Sequence, residues 1–482
     1  MFDLRPVGYV IGLLVAVLGL TMALPLALDF ADGNPHWQVF AISGALTVLC
    51  GGFLAIATVN SSTGGLSIRQ TFLLTTMVWV ALPVFGALPF LFGATDARLV
   101  DAFFEAMSGL TTTGSTVFSG LETLPRGLLL WRGMLQWFGG IGIIVVAMVF
   151  LPTLKVGGMQ IFRSESFETM GKILPRAAQI AARISGIYFA LTAFCFAAYM
   201  FVGMKAFDAL VHALTTLSTG GFSNYDASFG TFAGPAEYVA SLFMILASLP
   251  FVRYVQLMGG SIRPLLRDVQ ARDYVALILL LVLVITVYRM QVNGDTLENS
   301  IREGVFNVTS IISGTGYASV DYQLWGAFPV ALFFLIGLIG GCAGSNCCSV
   351  KIFRYQLLFA AIRAQVQKIH APHGVFTPRY DGRAVSEAVI SSVMAFFVMF
   401  MVSLAVLSAL LGIAGLDMMT AISGAATALA NVGPGLGEII GPAGNFSTLP
   451  SSAKWLLSAG MLMGRLELLT VLVLVLPSFW RN

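Results

Sequence analysis

Charged residues are scarce in this chain. Of its 482 residues only 26 are Lys or Arg and 23 are Asp or Glu, so charged side chains make up 10% of the sequence. Ordinary globular chains carry about 25% charged residues, because a soluble particle needs a polar surface. Hydrophobic residues make up 57%, which favours a protein that crosses a membrane several times and contacts lipid. Because the two signs nearly balance, at a net charge of +3, nucleic acid is not expected as a partner.

Cysteine and histidine are also few, and their placement argues against several kinds of site. The five cysteines lie in or beside apolar segments, so the sequence predicts reduced thiols rather than a disulfide framework. They are Cys50, Cys195, Cys342, Cys347 and Cys348. His370 and His373 lack the further Cys or His pair that completes a tetrahedral metal site. No phosphate-binding loop, zinc-protease motif or nucleophile elbow occurs, so we expect neither enzyme activity nor an organic cofactor.

Long apolar runs, by contrast, are abundant. Runs of about 20 residues predict ten transmembrane segments. They lie near residues 8–28, 37–59, 70–92, 127–151, 181–203, 237–258, 273–291, 327–349, 388–411 and 455–478. With a cytoplasmic N-terminus, most Lys and Arg residues outside these runs would lie in cytoplasmic loops, so the positive-inside rule places both termini in the cytoplasm.

Four segments between these runs share one pattern, a short helical stretch that ends at a glycine. They read FEAMSGLTTTG at 104–114, LVHALTTLSTG at 210–220, FNVTSIISGTG at 306–316 and SGAATALANVG at 423–433. They align without a gap, and the regular spacing of their last residues indicates an internal repeat. A half-helix of about 12 residues reaches only ~18 Å, so it enters the membrane and stops near the middle.

The repeat predicts both the fold and its division. The fold class is an all-α integral membrane protein with four pseudo-symmetric repeats, each a helix, a pore loop and a second helix, plus two extra N-terminal helices. The predicted division is an extension at 1–66 followed by repeats at 67–175, 176–270, 271–385 and 386–482.

Four half-helices around one axis would aim their C-termini, each with roughly half a negative charge, at a common point. Glycine provides the positive φ of the turn that follows, and a ring of backbone carbonyls can replace the hydration shell of an ion. The alternative is a set of interfacial helices with ordinary Thr-Gly turns. The carbonyls predicted to bind the ion are those of Thr112, Thr113, Gly114, Ser218, Thr219, Gly220, Gly314, Thr315, Gly316, Asn431, Val432 and Gly433.

These loops resemble those of the Trk/Ktr/HKT superfamily of potassium transporters, and most closely the TrkH type. The resemblance covers nearly the whole chain and includes Gly157-Gly-Met-Gln after the fourth run and Gly464-Arg-Leu-Glu in the last. It implies potassium uptake across a bacterial inner membrane through one central pore with a pseudo-fourfold carbonyl filter. It also implies a homodimer regulated by a cytoplasmic TrkA-type nucleotide-binding ring. Glycine at all four filter positions implies selectivity for K⁺, the only metal ion expected.

The eighth run is interrupted by small residues from Gly337 to Ser349, which should unwind or flex it in mid-membrane. In the family that the sequence resembles, the matching segment is a gate beneath the filter, here with Gly340, Gly341 and Gly344. The alternative is a helix-packing face, because these glycines have GxxxG spacing. Asn346, Cys347 and Cys348 depart from the usual composition of this segment.

Arg465 lies within the last run, where an unpaired charge costs at least ~2.5 kcal/mol on insertion scales. Glu467 is only two residues away and would face another side of a helix, which argues against a local ion pair. The resemblance implies that Arg465 is part of the gate, as an electrostatic barrier to cations below the filter. The alternative is an ion pair with another helix.

Two further alternatives stay open at this level. The protein could be a Na⁺- or H⁺-coupled K⁺ symporter instead of a gated pore. The basic loops at 152–183 and 351–383 either determine topology or also bind a cytoplasmic regulator.

Overall fold

The structure is a computed structural model, which describes residues 3–60, 66–149 and 177–481. The chain is almost entirely helical. The helices are α1 (Arg5–Thr21), α2 (Ala23–Ala31), α3 (Trp37–Thr58), α4 (Ile68–Gly86), α5 (Leu88–Leu91), α6 (Leu99–Leu110), α7 (Arg126–Val149), α8 (Ala177–Phe201), α9 (Ala206–Leu217), α10 (Pro235–Ser248), α11 (Phe251–Met258), α12 (Arg263–Leu266), α13 (Val269–Tyr288), α14 (Leu297–Ile312), α15 (Ala327–Gly337), α16 (Ile352–His370), α17 (Glu387–Ile413), α18 (Met418–Ala430), α19 (Ser451–Arg465), α20 (Leu469–Val475) and α21 (Pro477–Arg481). A parallel strand pair, β1 (Ile339–Gly340) with β2 (Val350–Lys351), and an antiparallel pair, β3 (Arg379–Tyr380) with β4 (Arg383–Ala384), complete it.

Seven helices in the described ranges are long and apolar enough to cross a membrane, or nine segments if two sharply bent helix pairs count as single spans. Their exposed faces carry large apolar side chains such as Leu279, Leu283, Val398 and Met401. A surface of this kind is stable in hydrocarbon and not in water. The predicted all-α membrane fold is confirmed.

Among the described residues, three of the ten predicted runs bend sharply or leave the helical conformation. The sixth bends by 91° between α10 and α11, because Pro250 cannot continue the hydrogen-bond ladder and Leu249 before it is extended. The eighth leaves the helix at Gly337, and residues 338–349 are not helical. The tenth bends by 114° between α19 and α20, where Glu467 and Leu468 have φ of 63° and 42°.

Four short helices, α6, α9, α14 and α18, correspond to the predicted half-helices. They contain 12, 12, 16 and 13 residues, which at 1.5 Å per residue is too short to cross a bilayer. The N-termini of α14 and α18 are capped by the side chains of Thr296 and Asp417, which satisfies amides that have no partner in the helix. The C-terminal halves of all four are buried. The half-helices therefore enter the protein from its surface and end inside it.

The two extra N-terminal helices form a tightly packed hairpin attached to the first repeat. A β-carbon placed at Gly12 of α1 would lie 2.6 Å from the amide nitrogen of Ala55 in α3, so only glycine permits this approach. The buried carboxylate of Asp29 accepts a hydrogen bond from the Gly127 amide at 2.6 Å and lies 3.0 Å from His36 Nδ1. This contact fixes the hairpin to the start of α7.

Candidate ion-binding site

The loops that follow the four half-helices, which we number one to four in chain order, contact one another in cyclic order. A β-carbon at Gly114 in loop one would overlap the carbonyl oxygen of Gly220 in loop two, and one at Gly221 would overlap the carbonyl oxygen of Thr315 in loop three. Such overlaps leave no room for any residue except glycine at these positions. The first three loops therefore touch through their backbones.

The ring closes through loops three, four and one. A β-carbon at Gly316 would lie 2.6 Å from the amide nitrogen of Gly433, and one at Gly433 would lie 3.1 Å from the carbonyl oxygens of Thr113 and Gly114. The Ser115 hydroxyl also donates to the Gly433 carbonyl at 2.9 Å. Four half-helix C-termini thus converge on a single backbone ring, an arrangement that favours a cation at its centre.

The register of the second loop differs from the prediction by one residue. Gly114, Gly221 and Gly316 have φ of 86°, 80° and 81°, and each follows the last residue of its half-helix by four positions. In a gap-free alignment Gly220 takes this place, but Gly220 is not among the positive-φ residues. The second set is therefore Thr219, Gly220 and Gly221 rather than Ser218, Thr219 and Gly220, because Ser218 still has the αR conformation of a helix end.

The expected positive φ at each terminal glycine is also wrong for Gly433. In loop four the left-handed residue is Asn431, at φ 51°, a conformation that asparagine adopts more readily than most residues. Its Nδ2 donates to Thr113 Oγ1 at 3.0 Å and to the Met461 carbonyl at 2.9 Å. Asn431 thus fixes loop four to loop one and to α19.

A cavity of about 200 Å³ opens directly onto the ring on the side from which the half-helices enter. All four ring glycines line it, with Gly221 and not Gly220 from loop two. Tyr225 lies at its edge and donates to Asp208 Oδ2 at 3.0 Å. Burial and this hydrogen bond raise the pKa of Tyr225 to about 12, so its hydroxyl stays neutral. Ions could reach the ring through this cavity.

On the other side of the ring lies the segment 338–349, which we call the intramembrane loop. A β-carbon at Gly314 would lie 3.5 Å from the amide nitrogen of Cys348, and Cys348 Sγ lies 3.6 Å from Thr112 Oγ1. The side chain of Asn346 donates to the Leu217 carbonyl, the last residue of α9, at 2.5 Å. The intramembrane loop therefore lies directly against the ring.

The glycines predicted for the gate shape this loop. A β-carbon at Gly340 would overlap the Cys348 carbonyl oxygen, one at Gly341 would lie 2.7 Å from Cys347 Sγ, and Gly344 has φ 72°. They allow the loop to fold onto itself. The alternative of a GxxxG helix face is wrong, because this segment is not helical beyond Gly337.

Arg465, at the end of α19, reaches the same loop and is 4% exposed. Its Nη1 donates to the Asn346 carbonyl at 3.4 Å and contacts Cys348 Sγ at 2.5 Å, while Nη2 donates to the Gly139 carbonyl of α7 at 3.2 Å. No carboxylate of the described ranges forms a salt bridge with it. The alternative of an interhelical ion pair is not observed, and the guanidinium instead bridges the loop and the first repeat.

Glu467 forms its ion pair elsewhere, as the sequence spacing suggested. Its partner is Arg354 of α16, which is fully buried and lies 3.8 Å from the centroid of the Phe396 ring. Lys351 is also buried, and its Nζ donates to the Cys347 carbonyl at 2.5 Å. The sequence places Lys351 and Arg354 in the basic loop at 351–383, which does not predict that either side chain is buried. The apolar residues around Arg354 (Ile352, Phe353 and Leu357) are the signal that could have marked it as buried.

The remaining predicted features lie apart from the ring. In the part of the chain that the structure describes, no group of three or more His, Cys, Asp or Glu residues is placed to hold a metal ion. His370 and His373 are exposed at the end of α16. The Gly157-Gly-Met-Gln motif and most of the basic loop at 152–183 lie outside the described residues.

Comparison with known proteins adds an independent observation. The family described as TrkH, a cation transport protein, matches residues 36–481. The chain is 45% identical to the Trk system potassium uptake protein TrkI of Halomonas elongata, over 99% of this chain and 97% of that one. It is 36% identical to the Trk system potassium uptake protein TrkH of Escherichia coli, over 99% of both. Its fold is similar to the crystal structure of the potassium transporter TrkH from Vibrio parahaemolyticus, with a TM-score of 0.92, 31% identity and complete coverage of both chains.

Proposed function

Because the chain belongs to the TrkH family of cation transport proteins, we propose that it takes up potassium across a bacterial inner membrane through one central pore. The potassium uptake named for its relatives supports this substrate. The observation that carries the proposal is the closed backbone ring, in which each loop touches the next. Such a ring can replace the hydration shell of a monovalent cation.

The ion-binding groups in this proposal are backbone carbonyls, which require no charged side chain. They belong to Thr112–Gly114, Thr219–Gly221, Gly314–Gly316 and Asn431–Gly433. Hydroxyls next to the ring are hydrogen-bonded to each other, as between Ser313 Oγ and Thr315 Oγ1 at 2.7 Å. These bonds hold the hydroxyls, which leaves backbone carbonyls as the ligands proposed for K⁺.

Gating in this proposal belongs to the intramembrane loop and Arg465, on the cytoplasmic side of the filter. The loop lies against the ring, and the guanidinium holds it there through Asn346 and Cys348. An ion that leaves the ring meets both the loop and a buried positive charge. The loop with Gly340, Gly341 and Gly344 has to move before the ion can pass.

The proposed organisation follows the repeats. The extension at 1–66 precedes repeats at 67–175, 176–270, 271–385 and 386–482. The boundary between the first and second repeats lies outside the described residues. Both termini would lie in the cytoplasm. The chain would act as a homodimer under a TrkA-type nucleotide-binding ring, with K⁺ as its only ion. The exposed basic residues that follow α16, among them Arg379 and Arg383, suit the binding of such a regulator.

Flux through purified protein in liposomes tests this function. We expect uptake of K⁺ and Rb⁺ in preference to Na⁺ and Li⁺, with no need for an imposed proton or sodium gradient. Uptake that depends on such a gradient would favour the coupled symporter. Equal uptake of all four ions would contradict the proposed filter.

Silver ions are expected to block this flux through Cys348. Its thiol lies between Thr112 and Arg465, on the proposed path, and thiols are ligands for soft cations. Rb⁺ flux should fall at least about tenfold on addition of Ag⁺ to the wild type. Cys348→Ser should lose this block relative to its own untreated flux, whereas Cys50→Ser, at the exposed surface of α3, should stay sensitive. Block that persists in Cys348→Ser would place the path elsewhere.

A further inference from the structure

Each half-helix carries one polar side chain that forms a hydrogen bond with its own loop, just after the glycine of that loop that lies in the ring. Glu105 receives a hydrogen bond from the Val117 amide, and the His212 imidazole lies 3.0 Å from Ser223 Oγ. Asn307 donates to Ser319 Oγ at 2.9 Å. The first three lie nine residues before the positive-φ glycine of their loops. In the fourth repeat Ser423 takes this role, and its Oγ accepts from the Leu436 amide at 3.0 Å.

The anchor of the first repeat differs from the others because it is a carboxylate in a buried ion pair. Glu105 is 0% exposed, and its Oε1 accepts from Arg132 Nε at 2.8 Å. The Thr116 hydroxyl donates to the same carboxylate at 2.9 Å. Charge-assisted hydrogen bonds of this kind are stronger than neutral ones. Loop one is therefore held by stronger hydrogen bonds than the neutral ones that hold its counterparts.

The ion pair contacts loop two directly, and loop one, which it holds, also contacts the segment after loop four. Arg132 Nη1 donates to the Ser223 carbonyl of loop two at 2.7 Å, and the guanidinium lies 4.2 Å from the centroid of the Phe222 ring. The Thr116 carbonyl accepts from the Phe446 amide, after loop four, at 2.8 Å. Removal of the pair would therefore weaken the support of two of the four contacts between adjacent loops, those of loop one with loop two and with loop four.

One turn further along α7, Gln136 holds the ring itself. Its Nε2 donates to the Gly220 carbonyl at 2.6 Å, and its Oε1 accepts from the Phe222 amide at 3.0 Å. Arg132 and Gln136 are four residues apart, so they lie on the same face of the helix. This face of α7 thus positions loop two from the Gly220 carbonyl to Ser223.

We propose that Glu105 and Arg132 are positioning residues for ion selectivity, which set the spacing between loops one and two and so the distance between ligands across the ring. The inference rests on the proposed function and deepens it. Neither residue would touch the ion. Selectivity among monovalent cations depends on the number and geometry of the carbonyl ligands, so a loosened ring should accept Na⁺ more readily while it still conducts K⁺.

The test uses Glu105→Gln in the full-length protein in liposomes. Because this substitution removes the charge that strengthens the hydrogen bonds to Arg132, Thr116 and Val117, we expect the K⁺/Na⁺ permeability ratio to fall about tenfold or more. K⁺ flux itself should fall less than this ratio. Thr116→Val, which removes only the bridging hydroxyl, should lower the ratio in the same direction by a smaller factor. It provides a second measurement if Glu105→Gln does not fold.

Glu237→Gln is the matched control. Glu237 is also a buried carboxylate that pairs with an arginine, Arg302, and accepts from a backbone amide, but it has no hydrogen bond to a filter loop. Its variant should keep the wild-type ratio. A folded Glu105→Gln or Thr116→Val protein with a ratio within twofold of a K⁺-selective wild type would overturn this inference alone. A wild type without K⁺ preference would instead contradict the proposed function.

Discussion

Substitution of Arg465 by alanine is expected to raise K⁺ flux at least about tenfold. It removes a positive charge from the proposed path below the ring, and it removes the contacts that hold the intramembrane loop in place. Two unit charges 4 Å apart interact by about 4 kcal/mol at an effective dielectric constant of 20, which is the scale of the barrier that a K⁺ ion meets near this guanidinium. No carboxylate in the described ranges neutralises the charge by a salt bridge. The contacts that hold the loop are the hydrogen bonds from Arg465 to the carbonyls of Asn346 and Gly139 and its contact with Cys348.

Two variants separate these contributions. Arg465→Lys keeps the charge but loses the planar fork that reaches the loop and α7 at once, so its flux should lie between the wild type and Arg465→Ala. Arg253→Ala is the control at the corresponding bend of the second repeat, where Arg253 pairs with Asp268 at 2.7 Å away from the ring. It should leave flux unchanged. Stopped-flow Rb⁺ uptake by protein of equal orientation and amount measures all three. Unchanged or lower flux in a folded Arg465→Ala protein would contradict the barrier.

The repeat could be predicted from sequence because its signal is local. A short apolar helix that ends in a glycine turn is visible in eleven residues, and four copies reveal the common plan. The register of loop two was not visible, because Gly220 and Gly221 are adjacent and a gap-free alignment selects the first. Only the backbone angles and the contacts with Thr315 and Gly114 distinguish them.

The helix breaks also differ in whether the local sequence predicts them. The breaks at Pro250 and after Gly337 can be predicted from the sequence, because proline and glycine both destabilise a helix interior. The bend at Glu467 has no such marker. Glu467 has a positive φ there while its carboxylate binds Arg354 from α16, so tertiary contacts more than 100 residues away along the chain decide the backbone. The last span departs from a continuous helix at Glu467 for this reason.

The two adjacent glycines of loop two should respond very differently to alanine. Gly221→Ala places a β-carbon against the Thr315 carbonyl oxygen in a left-handed conformation, which alone costs about 1–2 kcal/mol. The backbone oxygen cannot move aside without opening the ring. We expect selective K⁺ flux to fall at least about 100-fold, since two powers of ten correspond to ~2.8 kcal/mol.

Gly220→Ala should be milder, because Gly220 has no positive φ and its β-carbon would meet the Gln136 side chain, which can rotate away. The loss is then confined to the bonds between Gln136 and loop two, so some K⁺-selective flux should remain. Gly203→Ala isolates the conformational strain, since Gly203 has φ 93° with no atom within 4 Å of its β-carbon. If Gly203→Ala retains K⁺ flux, the loss of flux in Gly221→Ala arises from the contact within the ring and not from backbone strain alone. A larger loss in Gly220→Ala than in Gly221→Ala would instead restore the register that the sequence alignment predicted, and with it Ser218 as an ion ligand.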